Sequence, residues 1–298
     1  MNAEYLLSTK STKNCPFKCN FTLDKSFYPI ADAAVFSPRG FKYDDFLKLH
    51  NNQKKLNVLF YRESAANRSL EKMKIPNNFF NLTMGFRRDS GIWCPYDRFE
   101  EIDRDNIRKN EVWTDEQIEA KLKNKTKLVL QFVSHCITRS QREDYLETLM
   151  KYVNVTVFGK CNGRICSRKD CMPGEIDKHF FYLAFENSVC KDYITEKFWR
   201  MKQLIVPVVL KRSILKGIVD DQYFLALDDF SSPKELVKRM EYLIRNIDEY
   251  KKYLGWTKYY KKTPSDSFIN FCTICEMVHK KEKHIIPDLW KWSQDESE

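Results

Sequence analysis

Glu196 and Lys197 lie where a parallel sheet would bind a ligand. An apolar and aromatic run at 180–185 predicts a buried strand, and Asp192 predicts the N-terminal cap of a helix whose first turns contain both residues. Open α/β sheets bind ligands at such strand-to-helix loops. The backbone N–H groups and the helix dipole there favour an anion, Lys197 adds a positive charge, and Glu196 could accept hydrogen bonds from sugar hydroxyls. The same features fit an ordinary connection with a capping aspartate and surface charges.

Two further charged residues follow predicted strands. The strand at 56–62 runs into Glu63, which could act as a general base if a partly apolar cleft raises its pKa, or could be a solvated loop residue. The strand at 127–134 precedes a helix predicted over 142–152, where Arg142 could hold phosphate oxygens through two hydrogen bonds or be a surface charge. The apolar side of this helix is predicted to contain Tyr145, Leu146, Leu149 and Met150.

Short apolar runs alternate with helical periodicity through the second half of the chain, which predicts an α/β fold with a parallel sheet. Further strands are predicted at 31–36, 154–158 and 204–210, and helices at about 233–246 and 247–253. The 298 residues are enough for two modest domains or one large domain.

The composition indicates a globular protein with an anionic partner. Aromatic residues make up 14% and hydrophobic residues 43% of the chain, which argues against a disordered protein. The net charge of +10 fits a nucleic acid, a membrane surface or a sugar nucleotide. Because lysines and arginines are spread along the chain, tight and salt-sensitive binding to nucleic acid is not expected. The sequence has no signal peptide and no apolar run of the ~18 residues that a membrane span needs.

Cysteines and glycosylation sequons together favour an oxidising, secretory compartment. The chain has ten cysteines. Its five Asn-x-Ser/Thr sequons begin at Asn20, Asn67, Asn81, Asn124 and Asn154. Two cysteine groups could bind zinc but lack a well-placed complete ligand set, so disulfides are expected for Cys15 and Cys19 and for Cys161, Cys166 and Cys171.

Asp103 and Asp105 form a D-x-D motif, which can hold Mn²⁺ against a sugar-nucleotide diphosphate. The surrounding residues 99–111 are strongly charged, and no apolar strand leads into the motif. A solvated linker is therefore the preferred interpretation.

Four sequence blocks, in one order between about Cys15 and Cys275, resemble the α1,3-fucosyltransferases of glycosyltransferase family 10. The central block is Phe180-Phe-Tyr-Leu-Ala-Phe-Glu-Asn-Ser followed by Asp192-Tyr-Ile-Thr-Glu-Lys. The other blocks lie at 31–36, 80–96 and 204–210. The resemblance implies a GDP-fucose donor, an inverting reaction and no obligatory cofactor, with stimulation by Mn²⁺ or Mg²⁺ left open. It also implies the GT-B architecture, an α/β fold of two facing Rossmann-like domains with the active site in the cleft between them.

The resemblance also implies roles for individual residues. Glu63 is the expected general base, and Arg142 the expected diphosphate-binding arginine, with Arg139 as a competitor because the spacing permits a shift. Lys197 would stabilise the leaving GDP, and Glu196 would hold fucose or ribose hydroxyls. The nucleotide pocket would be shaped by Asn187 and Tyr193.

Two further groups have more than one interpretation. Three residues would orient the acceptor or close the cleft, or would form a structural ion-pair network: Arg87, Arg88 and Asp89. The C-x-x-C motif of Cys272 and Cys275 could be redox-active or metal-binding, whereas the resemblance implies structural disulfide partners.

The predicted organisation is an acceptor-side N-terminal domain at 1–115, a GDP-fucose-binding domain at 116–262 and a tail at 263–298 that packs back across both. Only Tyr5-Leu-Leu7 is a candidate for the family's first strand, so the first domain is expected to be incomplete. The acceptor would be a GlcNAc of a glycoprotein glycan, in either the N-glycan core or an antenna.

Two alternatives to an active α1,3-fucosyltransferase stay open. One is an inverting transferase that uses another sugar nucleotide. The other is a catalytically impaired relative that binds GDP-sugar or glycan, which is favoured by departures from the family pattern at Ser37, Ala65, Gly91 and Met201.

The resemblance also implies a localisation, because α1,3-fucosyltransferases of this family usually lie in the Golgi lumen as type II membrane proteins. Membrane contact is expected only through that anchor, which is absent from this chain.

Overall fold

The chain forms two compact α/β units. The computed structural model describes residues 15–37, 49, 55–64, 75–264, 271–282 and 284–294. The first unit comprises Met1–Tyr96 and Asp266–Glu298, and the second comprises Asp97–Ser265. Among the described residues, no helix has the length and apolar character needed to cross a membrane.

Strands and helices alternate along most of the described chain. The strands are β1 Ala33–Phe36, β2 Leu56–Phe60, β3 Leu82–Gly85, β4 Ile92–Trp93, β5 Lys127–Phe132, β6 Val155–Phe158, β7 His179–Leu183, β8 Val206–Val209 and β9 Leu225–Ala226. The α-helices are α1 Asp115–Lys123, α2 Arg142–Leu149, α3 Met172–Lys178, α4 Pro233–Arg245, α5 Ile247–Tyr253, α6 Phe271–His279 and α7 Leu289–Gln294. The strands and the two late helices predicted from periodicity are thereby confirmed within a few residues.

The first unit contains a parallel sheet with strand order β1-β2-β3-β4. All five residues of β2 are buried, as the continuous apolar run predicts for a strand covered on both faces. The tail contributes to this core, because α6 inserts Phe271 and Ile274 among residues of β2, β3 and β4. Two disulfides, Cys15–Cys272 and Cys19–Cys275, fix the same helix to the opening segment.

The second unit contains a parallel sheet with strand order β6-β5-β7-β8-β9. The chain order reverses at β5, since β6 lies on one side of β5 and β7 on the other. In open α/β sheets, ligands bind beyond the carboxyl ends of the strands at such a switch point. The carboxyl ends of β5 and β7 are therefore where the second unit is built to bind a ligand.

The structure moves the first domain boundary from the predicted residue 115 to Tyr96/Asp97. Residues after 96 belong to the second unit because their side chains are anchored there: Lys202 Nζ lies 2.7 Å from Asp97 Oδ1 in a buried ion pair. Phe99 stacks on Tyr260 with ring centroids 4.5 Å apart. The start of this charged stretch is thus anchored to the second unit, although most of its residues are exposed.

The helix predicted over 142–152 is shorter than expected. It ends at Leu149, where Lys151 and Tyr152 close tight turns through backbone hydrogen bonds and the chain turns towards β6. Met150, predicted on the apolar side, is 51% exposed, whereas Leu149 is fully buried. The predicted strand at Tyr5-Leu-Leu7 and the departure at Ala65 lie outside the described residues.

Lys125 is a buried lysine at the amino edge of the second sheet, and it makes stability depend on pH. Its Nζ donates to His179 O at 2.6 Å and lies 3.4 Å from Ile176 O. Burial lowers the pKa of Lys125 from 10.5 to about 7. Between about pH 7 and 10.5, the unfolded chain therefore holds a proton on Lys125 that the folded chain has released. The free energy of unfolding should accordingly rise with pH over this range.

We therefore expect the Tm of Lys125→Met to increase less between pH 7 and pH 10 than the Tm of the wild type. This difference in slope is expected even if the substitution also changes Tm at every pH. Thermal unfolding of wild type and variant over that range measures the difference. The matched control is Lys123→Met, because Lys123 is exposed at the end of the neighbouring helix α1. Parallel Tm curves for wild type and Lys125→Met would contradict the assignment.

Candidate functional site

A cavity of about 310 Å³ lies at the switch point of the second sheet. It is lined by Phe132, Val133, Ser134, His135, Arg142, Gly159, Cys166, Arg168, Met172, Asn187, Glu196, Lys197 and Arg200. The loops after β5, β6 and β7 all contribute to this lining. Larger cavities of about 490 and 540 Å³ lie elsewhere but lack this position at the carboxyl edge.

A buried carboxylate, Glu186, organises the loop after β7. Its Oε1 accepts hydrogen bonds from the backbone N–H and the hydroxyl of Thr195, at 2.9 and 2.7 Å. Its Oε2 accepts one from Lys197 Nζ at 2.7 Å, and that ammonium also contacts Thr195 Oγ1 at 2.9 Å. The loop therefore wraps around Glu186 and holds the Lys197 ammonium at the cavity.

The helix predicted to begin at Asp192 is wrong. Asp192 is buried with φ of +60°, in the left-handed region, and the chain runs irregularly until the 3₁₀ helix Phe198–Gln203. This backbone conformation does not suit an N-cap, which normally is extended, and the N–H of Thr195 is bonded by Glu186 and not by Asp192. Positive charge at the cavity thus comes from side chains and not from a helix N-terminus.

Glu196 and Lys197 both carry their charges at the cavity. Burial disfavours the ammonium of Lys197, but attraction by Glu186 and Glu196 outweighs it and raises the pKa above its usual 10.5. Burial likewise disfavours the carboxylate of Glu196, but attraction by the positive charges of Lys197 and Arg200 outweighs this effect and lowers the pKa of Glu196. The pair therefore presents a cation and a hydrogen-bond acceptor side by side at neutral pH.

Arg142 lines the cavity from the start of α2 and is 3% exposed. Its Nη1 donates to Phe185 O at 2.6 Å and its Nη2 to His135 O at 2.9 Å, so the guanidinium ties the loops after β7 and β5 together. Its buried Nε has no hydrogen-bond partner among the described residues. Arg139, the predicted competitor, is exposed and does not line the cavity.

The two residues predicted to shape the nucleotide pocket have different positions. Asn187 lines the cavity, and its buried Oδ1 has no partner within the described part of the chain. Tyr193 is 1% exposed and is not among the cavity-lining residues. The structure therefore brings Asn187 to the cavity with Arg142, Glu196 and Lys197 and leaves Tyr193 in the interior.

Two cavity arginines were not identified from the sequence. Arg200 Nη1 donates to Tyr182 Oη at 2.6 Å, and its guanidinium lies 4.9 Å from the Tyr182 ring centroid. Arg168 reaches the cavity from the short loop closed by the Cys166–Cys171 disulfide. The helical spacing of Arg200 from Lys197 was a usable signal, whereas nothing in the sequence around Arg168 indicated its position.

Disulfides and one glycine shape the cavity rim. Cys136–Cys161 joins the loops after β5 and β6, so the expected disulfides, and not zinc, are present in this region. Gly159 has φ of +123°, and a Cβ there would lie 1.9 Å from Val133 O. Only glycine therefore allows these two loops to approach so closely.

Glu63 lies in the first unit, three residues beyond β2 at the carboxyl edge of the sheet, as its sequence position predicts. Its side chain is half-buried. The adjoining Arg62 stacks on the Tyr96 ring at 4.1 Å, and the Tyr96 hydroxyl donates to Arg62 O. The strand end next to Glu63 is thus held by packing and hydrogen bonding.

The candidate acceptor-side residues divide into a structural pair and an exposed residue. Arg87 is 1% exposed; its Nε donates to Asp89 Oδ1 at 2.7 Å, and its Nη2 also contacts Asp89. Its Nη1 donates to Trp292 O at 3.0 Å, which attaches the strand end to α7. The structural interpretation therefore accounts for Arg87 and Asp89, while Arg88 is exposed.

Neither candidate metal motif forms a metal-binding cluster in the described residues. Asp103 and Asp105 are exposed in a turn, where Asp103 accepts hydrogen bonds from Asp105 N and Asn106 Nδ2. The described chain holds one cluster with ligand-like spacing, Cys19, Cys275 and His279. Its two sulfurs are joined in a disulfide and cannot act as thiolate ligands.

Comparison with known families decides what these units are. The sequence model "Glycosyltransferase family 10 (fucosyltransferase) C-term" matches residues 122–292, and "Fucosyltransferase, N-terminal" matches residues 3–97. The chain belongs to glycosyltransferase family 10. The prediction of a glycosyltransferase from the sequence blocks is thereby confirmed, and the cavity described above lies within the matched C-terminal region.

Curated relatives carry the same family name. Alpha-(1,3)-fucosyltransferase fut-1 of Caenorhabditis elegans is 33% identical over 94% of this chain and 66% of its own length. Glycoprotein 3-alpha-L-fucosyltransferase A of Drosophila melanogaster is 31% identical over 90% of this chain and 52% of its own length. The chain therefore spans about two thirds of the nematode relative and about half of the fly relative.

Solved structures support the fold class. A crystal structure of an α1,3-fucosyltransferase with GDP-fucose aligns with a TM-score of 0.56 and 15% identity, over 86% of this chain and 80% of the other. A second crystal structure, with GDP, aligns with a TM-score of 0.52. Together with the two parallel sheets, these similarities confirm the predicted α/β GT-B class.

Proposed function

We propose that this protein is an inverting α1,3-fucosyltransferase that moves fucose from GDP-fucose to a GlcNAc of a glycoprotein glycan. The observation that carries the proposal is the cationic cavity at the switch point of the second sheet, where the Glu186–Lys197 pair and Arg142 meet. A relative of the same family has been crystallised with GDP-fucose, which supports a nucleotide-sugar donor.

The second unit would bind the donor and stabilise the leaving group. Lys197, Arg142 and Arg200 place positive charge around the cavity, which suits a diphosphate that gains negative charge as the glycosidic bond breaks. The unpartnered Nε of Arg142 and Oδ1 of Asn187 are a donor and an acceptor that a ligand could satisfy. Glu196 would accept hydrogen bonds from fucose or ribose hydroxyls.

The first unit would supply the base for a single displacement. The acceptor hydroxyl oxygen attacks the anomeric carbon of fucose, the bond from that carbon to the diphosphate oxygen breaks, and GDP leaves with the electron pair. Glu63 would take the proton from the attacking hydroxyl. Because the attack comes opposite the leaving group, the anomeric configuration inverts.

No obligatory metal is part of the proposal, because the cavity cations can supply the charge that a divalent ion would otherwise bring to the diphosphate. Stimulation by Mn²⁺ or Mg²⁺ is measured by repeating the transfer assay with each ion in place of EDTA. Secretory localisation, in the Golgi lumen with an anchor of the usual type II form, is proposed from the family and is supported by the disulfides.

The test is fucose transfer from GDP-fucose in EDTA, with an N-glycan core glycopeptide and free N-acetyllactosamine as separate acceptors. Product on either acceptor is expected, and the preferred one names the acceptor class. A parallel panel of other sugar nucleotides separates the alternative donor. GDP binding without transfer from any donor would replace the proposal with the impaired relative that the departures at Ser37, Gly91 and Met201 favour.

A further inference from the structure

Tyr61 anchors the chain two residues before Glu63. It directly follows β2, is 6% exposed, and its backbone N–H donates to Met84 O at 3.0 Å, so the chain is still attached to β3 at this point. Its hydroxyl oxygen lies 2.8 Å from Ser90 Oγ. Its ring lies on the backbone of Gly85, where a Cβ would come within 2.2 Å of the ring carbons. The position of Tyr61 therefore sets where the segment that carries the proposed base begins.

Trp292, on α7, packs on this tyrosine from the far end of the chain. Its ring meets the Tyr61 ring edge to face, with centroids 5.7 Å apart, and Phe86 packs on the same tyrosine at 5.2 Å. The guanidinium carbon of Arg87 lies 4.2 Å from the Trp292 ring centroid, and Nη1 donates to Trp292 O at 3.0 Å. Arg87 and Ser90 share one turn, in which Ser90 N donates to Arg87 O. The indole thus closes a cluster that joins the end of β2, the turn after β3 and α7.

The place of α7 does not depend on the Trp292 ring alone. The segment before the helix is hydrogen-bonded to the chain that precedes β3: Asn81 Nδ2 donates to His284 O at 2.7 Å, and Ile286 N donates to Phe80 O at 3.0 Å. Leu289, at the start of α7, is 6% exposed. The C-terminal segment is therefore docked in the first unit by its backbone and by a buried leucine, and the indole is an additional contact.

We propose that Trp292 is a positioning residue for fucose transfer, which acts through Tyr61 on Glu63 and not by contact with substrate. The proposal rests on the proposed function, in which Glu63 takes the proton of the acceptor hydroxyl. It gives the C-terminal segment a part in the reaction: the segment completes the packing that aims the base.

Other contacts hold the rest of the segment that carries the base. The Tyr96 hydroxyl donates to Arg62 O, and Ser64 is fully buried. Loss of the Trp292 ring would release the side chain of Tyr61 while leaving these contacts in place. The segment would then shift without unfolding, and a displacement of about 1 Å is enough to slow a positioned reaction by about 10²-fold.

The first test is Trp292→Ala, measured by steady-state transfer kinetics and GDP titration. The substitution removes the ring but keeps the backbone carbonyl that binds Arg87. We expect kcat to fall by about 10–100-fold. GDP affinity should be unchanged, because the cationic cavity belongs to the second unit.

Two further variants of the same helix serve as controls. Trp292→Phe keeps an aromatic ring against Tyr61 and should recover most of the lost kcat. Trp290→Ala removes an exposed tryptophan from α7 and should have wild-type kcat. Wild-type kcat in Trp292→Ala, or a Trp292→Phe variant as slow as Trp292→Ala, would overturn the proposal.

A double variant separates positioning of Glu63 from a general loss of structure. In Glu63→Gln the proton acceptor is already missing, so adding Trp292→Ala should change kcat by no more than about twofold, the usual uncertainty of such a comparison. If Trp292 only stabilised the first unit, Trp292→Ala would lower kcat by the same factor in both backgrounds. Equal factors would therefore contradict the proposed route through Glu63.

Hydrogen exchange tests the packing independently of transfer. The backbone amides of Tyr61–Ser64 should exchange faster in Trp292→Ala than in the wild type and at the wild-type rate in Trp290→Ala. Unchanged exchange in Trp292→Ala would overturn the positioning role by itself. Undiminished turnover in Glu63→Gln would instead refute the proposed function of Glu63 and, with it, the effect of Trp292 on the reaction.

Discussion

Glu63→Gln is expected to lower kcat for fucose transfer by about 10²–10⁴-fold, the usual contribution of a positioned proton-transfer group. Glutamine keeps nearly the same shape and can still accept a hydrogen bond, but it cannot take the proton of the acceptor hydroxyl. GDP affinity should be unchanged, because Glu63 lies in the first unit and the cationic cavity belongs to the second. Steady-state transfer kinetics and calorimetric GDP binding measure the two quantities.

A matched control distinguishes a loss of catalysis in Glu63→Gln from a loss of stability. Glu276→Gln removes a carboxylate from the same unit, on α6, where Glu276 pairs with Lys280 on the surface. Its kcat should match the wild type. Undiminished turnover in Glu63→Gln would remove Glu63 as the base, and a loss shared by both variants would point to a damaged first unit.

Local patterns in the sequence were sufficient to place Glu63, Arg142 and Lys197 at the carboxyl edges of sheets. Each follows a short apolar run that is typical of a buried strand, and parallel strands bring such loops to one edge. The same reasoning correctly predicted both late helices, since α4 has a Ser-Pro start and regular apolar spacing. These patterns did not predict the strand order of either sheet or which strands pair with each other.

Two of the errors involve buried polar groups whose partners local sequence patterns do not predict. At the predicted helix start, Asp192 has left-handed backbone, and the N–H of Thr195 is bonded by Glu186 and not by Asp192. The domain boundary shifts because Asp97 pairs with Lys202, more than one hundred residues away. Neither partner choice can be read from local spacing, since the sequence contains many other possible pairs.

The acceptor-side residues illustrate the same limit. Arg87, Arg88 and Asp89 form one charged run, and its chemistry fits either recognition or structure. For Arg87 the structural alternative is favoured, because its guanidinium donates a hydrogen bond to Trp292 O and packs on the Trp292 ring. Arg88 is therefore the residue of this run that a search for acceptor contacts should test first.

Lys197→Ala is expected to weaken GDP binding by about 10–100-fold, the range of a hydrogen bond between charged groups. The variant also leaves the buried Glu186 carboxylate without its cation, so Tm should fall. GDP titration and thermal unfolding measure both effects. The control is Lys191→Ala, because Lys191 is exposed and does not line the cavity. Unchanged GDP affinity in Lys197→Ala would count against its role.

The pair Glu186 and Lys197 allows stability and binding to be separated. The double variant Glu186→Gln with Lys197→Met removes both charges, so no uncompensated buried ion remains. We expect its Tm to recover relative to Lys197→Ala, whereas GDP affinity should stay low because the ammonium is still missing. If affinity recovered together with Tm, Lys197 would act only by stabilising the loop after β7.

Glu186→Gln alone tests whether Glu186 is a positioning residue that keeps Lys197 charged. Burial disfavours the ammonium of Lys197, but in the wild type attraction by Glu186 and Glu196 together outweighs it and raises the pKa above 10.5. Glu186→Gln removes the larger of these attractions, so Lys197 loses its proton at lower pH than in the wild type. GDP affinity of the variant should therefore fall as pH rises through the alkaline range, while wild-type affinity stays level. Parallel pH profiles for the two proteins would show that Glu186 shapes the loop but does not set the charge of Lys197.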